Sequence, residues 1–317
     1  MKRFLGPAII TLVVAAFIAM LSFGKLSQTN DPMSPQIIAT SFPAYDFTRA
    51  LLRDSDLNYR LLISPGTDLH HYEPTTTDLL QLSNAELIVA TCGESETWLN
   101  QILANLDTQP QLFCMSDSVT PLLEDQQYIL DANSDADAIE TDVDYDEHYW
   151  TSPANTIQII TDLQQQLATL YPDNTELLTQ NSANYTTQLT QLDRDFQTLA
   201  AQAAKPLIVA DRFPFYYLVQ AYGFRYYAAL PGCAEQTEAS ASSIAQLIDL
   251  VQQYDIKTIF TLELSTQNIA ETVAAATNTQ IHTLHSAQNI SLVDFNAGIT
   301  YYDLMSRNLE QLSEALL

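Results

Sequence analysis

Residues 66–74 read GTDLHHYEP and follow a mostly apolar run at 59–63. An apolar run that opens into a polar loop is typical of a strand in an open α/β sheet, where ligands bind in loops at the carboxyl ends of the strands. His70 and His71 lie in this loop, and neutral imidazole is the commonest metal ligand in proteins. The stretch therefore indicates an α/β sheet with a candidate ligand loop. The alternative is a turn that only precedes the helix start TTTD at 75–78.

The other histidines also fall in loop-like stretches. The chain has five histidines in all. His148 lies in DEHYWTSP at 146–153, and His282 and His285 lie in IHTLH at 281–285. None of them is placed on an ordinary surface helix, which favours a shared role over scattered structural ones.

The order of these motifs resembles the zinc- and manganese-binding solute receptors of bacterial ABC importers, from about residue 37 to residue 317. In that family a loop of the form GTDPHxYEP gives the first metal ligand, and His70 occupies that position here. The second comes from DPHxWLDP or its variant DEHxWTSP, and His148 occupies it with every position of the variant matched. The resemblance implies a receptor, not an enzyme, that captures Zn²⁺ between two lobes and delivers it to an ABC permease.

The family's remaining two ligand positions differ in this chain. The third, usually His or Glu, falls on Arg212 in DRFPFYYL at 211–218, and an arginine cannot be deprotonated in a protein. A branch of the family with DRFPF shares this replacement. The fourth falls on His285. The resemblance thus implies His70, His148 and His285 as ligands, a set that suits Zn²⁺ better than Mn²⁺, which favours oxygen.

One coordination position stays open, and its candidates are water, Glu238, Glu263 and Cys233. A guanidinium beside the metal would repel it. We therefore expect Arg212 to turn away and pair with a carboxylate, with Glu238 or Glu263 as the first choices.

The amino-terminal segment 1–31 has the form of an export signal. Lys2 and Arg3 precede an apolar segment at 4–23, which is also long enough to remain as a membrane anchor, since a span needs about 17 to 25 residues. No cysteine lies in or just after it, unlike in the many family members that are lipoproteins. The chain is therefore predicted to be exported, and either anchored by this segment or released.

Composition excludes one class of partner. The chain has 317 residues, 47% of them hydrophobic, which predicts a globular protein of one large or two medium domains. Its formal net charge of −26 argues against nucleic acid, which needs a basic face. The electric field of this negative charge also attracts cations, although the simpler explanation for so many acidic residues is that they keep the protein soluble.

Strand-like and helix-like segments alternate in both halves of the chain. The pattern predicts an α/β fold with two lobes, each a four-stranded parallel sheet with flanking helices. The predicted lobes, at 36–170 and 205–317, are joined by a long rigid helix at 173–203, which should resist wide hinge closure.

An acidic loop at 122–147 interrupts the first lobe. It contains neither a basic residue nor, before His148, a histidine. Zinc-specific family members carry a His- and acid-rich loop at this place. The two hypotheses are a mobile acidic loop and a loop that collects metal, although carboxylates alone hold zinc weakly.

Three cysteines leave one unpaired if a disulfide forms. Cys92 and Cys114 follow strand-like segments and could be bridged, while three unlinked thiols are the alternative; Cys233 is the third cysteine. Two other functions stay open for what is expected to be a monomer: a secreted zinc hydrolase, and a surface adhesin that keeps the fold without transport. The absence of an HExxH motif argues against the hydrolase.

Overall fold

A computed structural model describes residues 36–123, 128–130, 145–233 and 238–317. The chain from Pro35 to Leu317 forms one compact unit. The predicted export signal at 1–31 and much of the predicted acidic loop at 122–147 lie outside the described residues. Among the helices that are described, none has the length and apolar character needed to cross a bilayer.

Two parallel sheets of four strands each form the framework, as predicted. The strands of the first sheet are β1 (Ile37–Ala39), β2 (Tyr59–Leu61), β3 (Leu87–Ala90) and β4 (Gln111–Cys114), in the order β2-β1-β3-β4. Those of the second are β5 (Leu207–Phe213), β6 (Tyr226–Pro231), β7 (Thr258–Leu262) and β8 (Gln280–Leu284), in the order β6-β5-β7-β8. Both sheets follow the predicted alternation of strand and crossover helix.

Helices connect and cover the strands. In chain order they are α1 (Phe42–Leu51), α2 (Thr76–Asn84), α3 (Thr97–Leu103), α4 (Pro153–Leu170), α5 (Thr175–Gln202), α6 (Tyr216–Tyr222), α7 (Ala241–Gln253), α8 (Asn268–Thr277), α9 (Leu292–Asn296) and α10 (Tyr301–Leu316). The local sequence determines where several of these helices begin. Thr75 with Asp78 and Thr300 with Asp303 form capping boxes, in which each side chain accepts the other residue's backbone N–H.

Helix α5 is the long helix that the sequence predicts at 173–203. It has 28 residues and begins after a 3-10 turn at Pro172–Asn174. Its buried face repeats at spacings of three, four and seven residues, which places one apolar stripe against the rest of the protein. The buried residues are Leu178, Tyr185, Leu189, Leu192, Phe196 and Leu199.

Both sheets contribute to one continuous core. It includes Ile37 and Val89 from the first sheet and Val209 and Phe260 from the second. The division into lobes at 36–170 and 205–317 therefore stays a prediction, because contacts alone group the chain from Pro35 onward as one unit.

The carboxyl edge of the first sheet carries a covalent link. A disulfide joins Cys92, two residues after β3, to Cys114 at the end of the neighbouring strand β4. Parallel pairing of these strands brings Ala90 opposite Cys114, so the two cysteines are within bonding range. This is the bridged alternative of the two cysteine states that the sequence left open.

Candidate metal centre

The loop at 66–74 presents His70 from a 3-10 turn at Leu69–His71. The Asp68 carboxylate accepts the His70 backbone N–H at 3.1 Å and so starts the turn. The loop is also attached to the second half of the chain, because the Gly66 N–H donates to the Ile290 carbonyl at 2.8 Å. As a result the His70 side chain is only 9% exposed.

His148 is held by the chain on both sides of it. Its backbone N–H donates to Asp146 Oδ1 at 2.8 Å, and its Nδ1 lies 3.4 Å from the same oxygen. The Thr151 hydroxyl donates to the His148 carbonyl at 2.8 Å. The imidazole also packs edge-on against the ring of Trp150, with centroids 5.5 Å apart. The side chain is 1% exposed, so packing fixes the orientation of the imidazole while the hydrogen bonds hold its backbone.

Glu147 points into the same region and is tightly held. Its Oε2 accepts the backbone N–H of Ser95 at 3.0 Å and the Ser95 hydroxyl at 2.9 Å, and its Oε1 accepts Gln288 Nε2 at 3.2 Å. The carboxylate reaches Ser95 because residue 93 is glycine: a Cβ on Gly93 would lie 2.1 Å from Glu147 Oε2.

Four potential ligand atoms meet where these segments converge. One atom each from His70, Glu147, His148 and Cys233 lies within 4.8 Å of the others. The His70 Nε2 to Glu147 Oε1 distance is 4.0 Å. Two imidazoles, a carboxylate and a thiol form a donor set that suits Zn²⁺.

The surroundings of His70 favour the neutral form of its imidazole. Burial lowers the pKa of the His70 imidazole; the Glu147 carboxylate opposes this effect and His148 adds to it. A lowered pKa favours the neutral imidazole, which is the form that coordinates metal.

His285, the third predicted ligand, is not a member of this group. Its backbone N–H donates to Asn308 Oδ1 at 2.8 Å, and its carbonyl accepts Asn308 Nδ2 at 2.7 Å, which fixes the loop after β8 against α10. Burial lowers the pKa of its imidazole, and the Arg307 charge adds to the effect. The described residues therefore bring His70 and His148 together without His285.

Arg212 pairs with a carboxylate, but the expected partners Glu238 and Glu263 are wrong. Its Nη1 lies 3.5 Å from Asp68 Oδ2, in the loop that carries His70. Glu263 instead accepts the Ser286 backbone N–H at 2.8 Å and the Ser286 hydroxyl at 2.5 Å. Burial raises the pKa of the Glu263 carboxyl to about 7.

The bulge in β5 explains where Arg212 points. The pairing of β5 with β6 shifts register between Val209 and Arg212. The Asp211 carboxylate accepts the Thr261 hydroxyl at 2.6 Å and the Leu262 N–H at 3.2 Å, so it takes over part of the contact with β7. The Asp211 side chain is thus hydrogen-bonded within the sheet, whereas the Arg212 side chain extends to Asp68.

Glu147 is the member of the group that the sequence interpretation missed. The signal for it was present, because Glu147 immediately precedes His148 in the matched motif DEHYWTSP. A carboxylate beside a ligand histidine was a candidate on chemical grounds.

Comparison with known proteins gives a consistent picture. The family model described as "ZnuA: Zinc-uptake complex component A periplasmic" matches residues 37–315. A high-affinity zinc uptake system protein ZnuA of Bacillus subtilis is 25% identical over 96% of this chain and 96% of its own length. The zinc-binding lipoprotein AdcA of Streptococcus pneumoniae is 27% identical over 96% of this chain, which spans 60% of that longer protein.

A solved structure agrees with the fold. The crystal structure of the Zn(II)-bound ZnuA-like domain of Streptococcus pneumoniae AdcA superimposes with a TM-score of 0.71 at 26% identity. The match covers 88% of this chain and 98% of that domain.

Proposed function

The chain belongs to the family of the periplasmic zinc-uptake complex component A, and on that basis we propose that it is an extracytoplasmic receptor that binds Zn²⁺ and delivers it to the membrane permease of an ABC importer. Its ion is cargo, and no bond is made or broken. The family description as periplasmic and the export-signal form of residues 1–31 support a place outside the cytoplasm, anchored by that segment or released. We propose that the receptor acts as a monomer.

The observation that carries this proposal is the convergence of His70, Glu147 and His148. Two nitrogen ligands at about 2.0 to 2.1 Å on a tetrahedral zinc lie roughly 3.4 Å apart. Ligand atoms that already lie within 4.8 Å of one another therefore need only small side-chain shifts to bind one ion.

The same residues supply a means of release. The imidazoles must be neutral and the carboxylate ionised to bind the metal, so metal loss is linked to proton uptake. Burial favours neutral His70 in the receptor, and contact with a permease that admits water would remove that bias.

The family match does not favour the two other functions considered from the sequence. Glu147, the carboxylate at the centre, is proposed here as a zinc ligand, so it is not free to act as a general base. Within the described residues, no feature favours a hydrolase or an adhesin over a receptor, and the family is one of solute-binding receptors.

Metal analysis tests the proposal directly. Protein purified without chelator should contain one zinc per chain, and an equimolar mixture of Zn²⁺ and Mn²⁺ should load mainly zinc. A deletion strain should grow poorly under zinc limitation and recover with the wild-type chain but not with His148→Ala. Recovery with a variant that binds no zinc would contradict the receptor role.

A further inference from the structure

We infer that the thiolate of Cys233 is a zinc ligand, which occupies the coordination position that Arg212 cannot fill and selects zinc over harder ions such as Mn²⁺. This inference rests on the proposed function because it concerns the same site.

The end of β6 brings Cys233 to the metal centre. The strand ends at Pro231, and Gly232 then packs directly on the neighbouring chain: a Cβ there would lie 2.9 Å from the Phe213 carbonyl oxygen and 3.4 Å from His148 Cε1. Since only a glycine fits this approach, the backbone passes close beside His148. The next residue thereby places its sulfur within 4.8 Å of the ligand atoms of the other three residues.

The other two cysteines are not available for this role. Cys92 and Cys114 are joined in a disulfide at the edge of the first sheet. A disulfide sulfur carries no negative charge, whereas a thiolate is a strong zinc ligand. Cys233 is therefore the cysteine whose chemistry fits the centre.

A second anionic ligand would make the ion and its direct ligands neutral, whereas the Asp146 carboxylate, 3.4 Å from His148 Nδ1, offsets charge only from outside that ligand set. With two neutral imidazoles and the Glu147 carboxylate, a bound Zn²⁺ would leave a net charge of +1 beside the guanidinium of Arg212. An uncompensated charge is costly at a buried site, and the Glu147 and His148 side chains are 2% and 1% exposed. A thiolate makes the ion and its ligands neutral, while Asp68 balances Arg212 at 3.5 Å.

Ligand softness gives the site its selectivity. Thiolate binds zinc far better than manganese, which prefers oxygen ligands and more of them. A site of two nitrogens, one oxygen and one sulfur therefore discriminates against Mn²⁺ more strongly than a site of nitrogen and oxygen alone.

Cobalt substitution reports the sulfur directly. The Co²⁺-loaded protein should show an intense near-ultraviolet thiolate-to-cobalt charge-transfer band. That band should disappear in Cys233→Ser and persist in His285→Ala, the matched control. Loss of even outer partners of a metal ligand costs about 10- to 100-fold in affinity, so Cys233→Ser should lose zinc affinity by about tenfold or more and Mn²⁺ affinity by less.

Alkylation gives a second readout. Without reductant the disulfide protects two cysteines, so iodoacetamide should add a single group, at Cys233. Zinc should slow this reaction in the wild-type chain and not in His148→Ala.

The outcomes separate the two proposals. A wild-type chain that binds no zinc would overturn the receptor function, and this inference with it. Zinc binding that depends on His148, is unchanged in Cys233→Ser and gives no charge-transfer band would overturn the thiolate ligand alone.

Discussion

His70 and His71 are neighbours in the sequence but differ in exposure. The His70 side chain is 9% exposed and lies 4.0 Å from Glu147, whereas the His71 side chain is 60% exposed and lies 3.7 Å from Asp68. We expect His70→Ala to lose most of the zinc affinity and His71→Ala to keep it, as measured by calorimetry with a competing chelator. Equal losses from both variants would reject this placement of the loop.

The role of His148 is tested against that of His285. His148→Ala removes a proposed ligand and should weaken zinc binding by about a hundredfold or more, or about 2.7 kcal/mol, while circular dichroism stays that of a folded protein. His285→Ala should bind zinc like the wild-type chain, because His285 is not among the four residues whose potential ligand atoms converge. If His285→Ala lost affinity as His148→Ala does, the three-histidine set would be the correct one.

The partly buried imidazole of His285 should make folding stability depend on pH. Burial first, and Arg307 second, lower its pKa in the folded chain, while the Asp294 charge opposes them. The unfolded chain titrates near the ordinary value of about 6.5. The stabilising contribution of the neutral form is therefore complete above about pH 6.5 and is lost as the pH falls from there towards the folded pKa.

Urea unfolding measures this effect in chelator-treated protein, where no metal contributes. Between about pH 7.5 and about pH 5.5, His285→Asn should lose less stability than the wild-type chain. An identical loss in both proteins would show that this imidazole does not carry the dependence.

At the residue scale, the sequence predicted the positions of those residues whose contacts are set by nearby residues of the same motif. His70 and His148 were placed in one site by GTDLHHYEP and DEHYWTSP, and the structure brings them together. The partner of Arg212 could not be predicted, because the loop contact that brings Asp68 to it joins segments 144 positions apart. The position of His285 depends on its backbone hydrogen bonds with Asn308 of α10. No local sequence pattern indicates these bonds, because the two residues lie 23 positions apart.

At the scale of elements, the turn after β3 supports the metal centre. The 3-10 turn Glu94–Glu96 follows Gly93, and its Ser95 donates twice to Glu147. In Gly93→Ala the new Cβ would lie 2.1 Å from Glu147 Oε2, so either the carboxylate or the turn must move. We expect a loss of zinc affinity of about 10- to 100-fold with the fold intact.

Ser95→Ala is the matched control for this prediction. It removes one of the hydrogen bonds to Glu147 without a steric clash, so its loss of affinity should be smaller than that of Gly93→Ala. Wild-type affinity in Gly93→Ala would mean that Glu147 is not on the metal.

The strands themselves were largely predictable, since most are short apolar runs bounded by turn residues. Strand β5 is harder to predict, because it continues past its apolar run at 207–210 to Phe213. Asp211 and Arg212 look like loop residues, but the Asp211 carboxylate bonds to the Thr261 hydroxyl and the Leu262 N–H of β7. Helix α9 is also hard to predict, because five residues are too few to show a helical period in the sequence.

At the scale of the whole molecule, α5 connects the two sheets as a strut. Its 28 residues span about 42 Å at 1.5 Å per residue. Near its start, Asn181 Nδ2 donates to the Leu51 carbonyl at 2.9 Å in the first half of the chain. Towards its end, Asp193 accepts the Tyr222 hydroxyl at 2.8 Å, and Phe196 stacks on the same ring, with centroids 5.4 Å apart.

A strut fixed near both ends should permit only small movements when zinc binds. We expect X-ray scattering to give nearly the same radius of gyration for chelator-treated and zinc-loaded protein, because hinge closure needs a connection that can bend. Asn181→Ala combined with Tyr222→Ala removes an anchor from each half and should make the zinc-dependent change larger. A clear contraction of the wild-type chain on zinc binding would show that α5 does not limit movement between the two halves, and capture would then proceed by closure of the two halves around the ion.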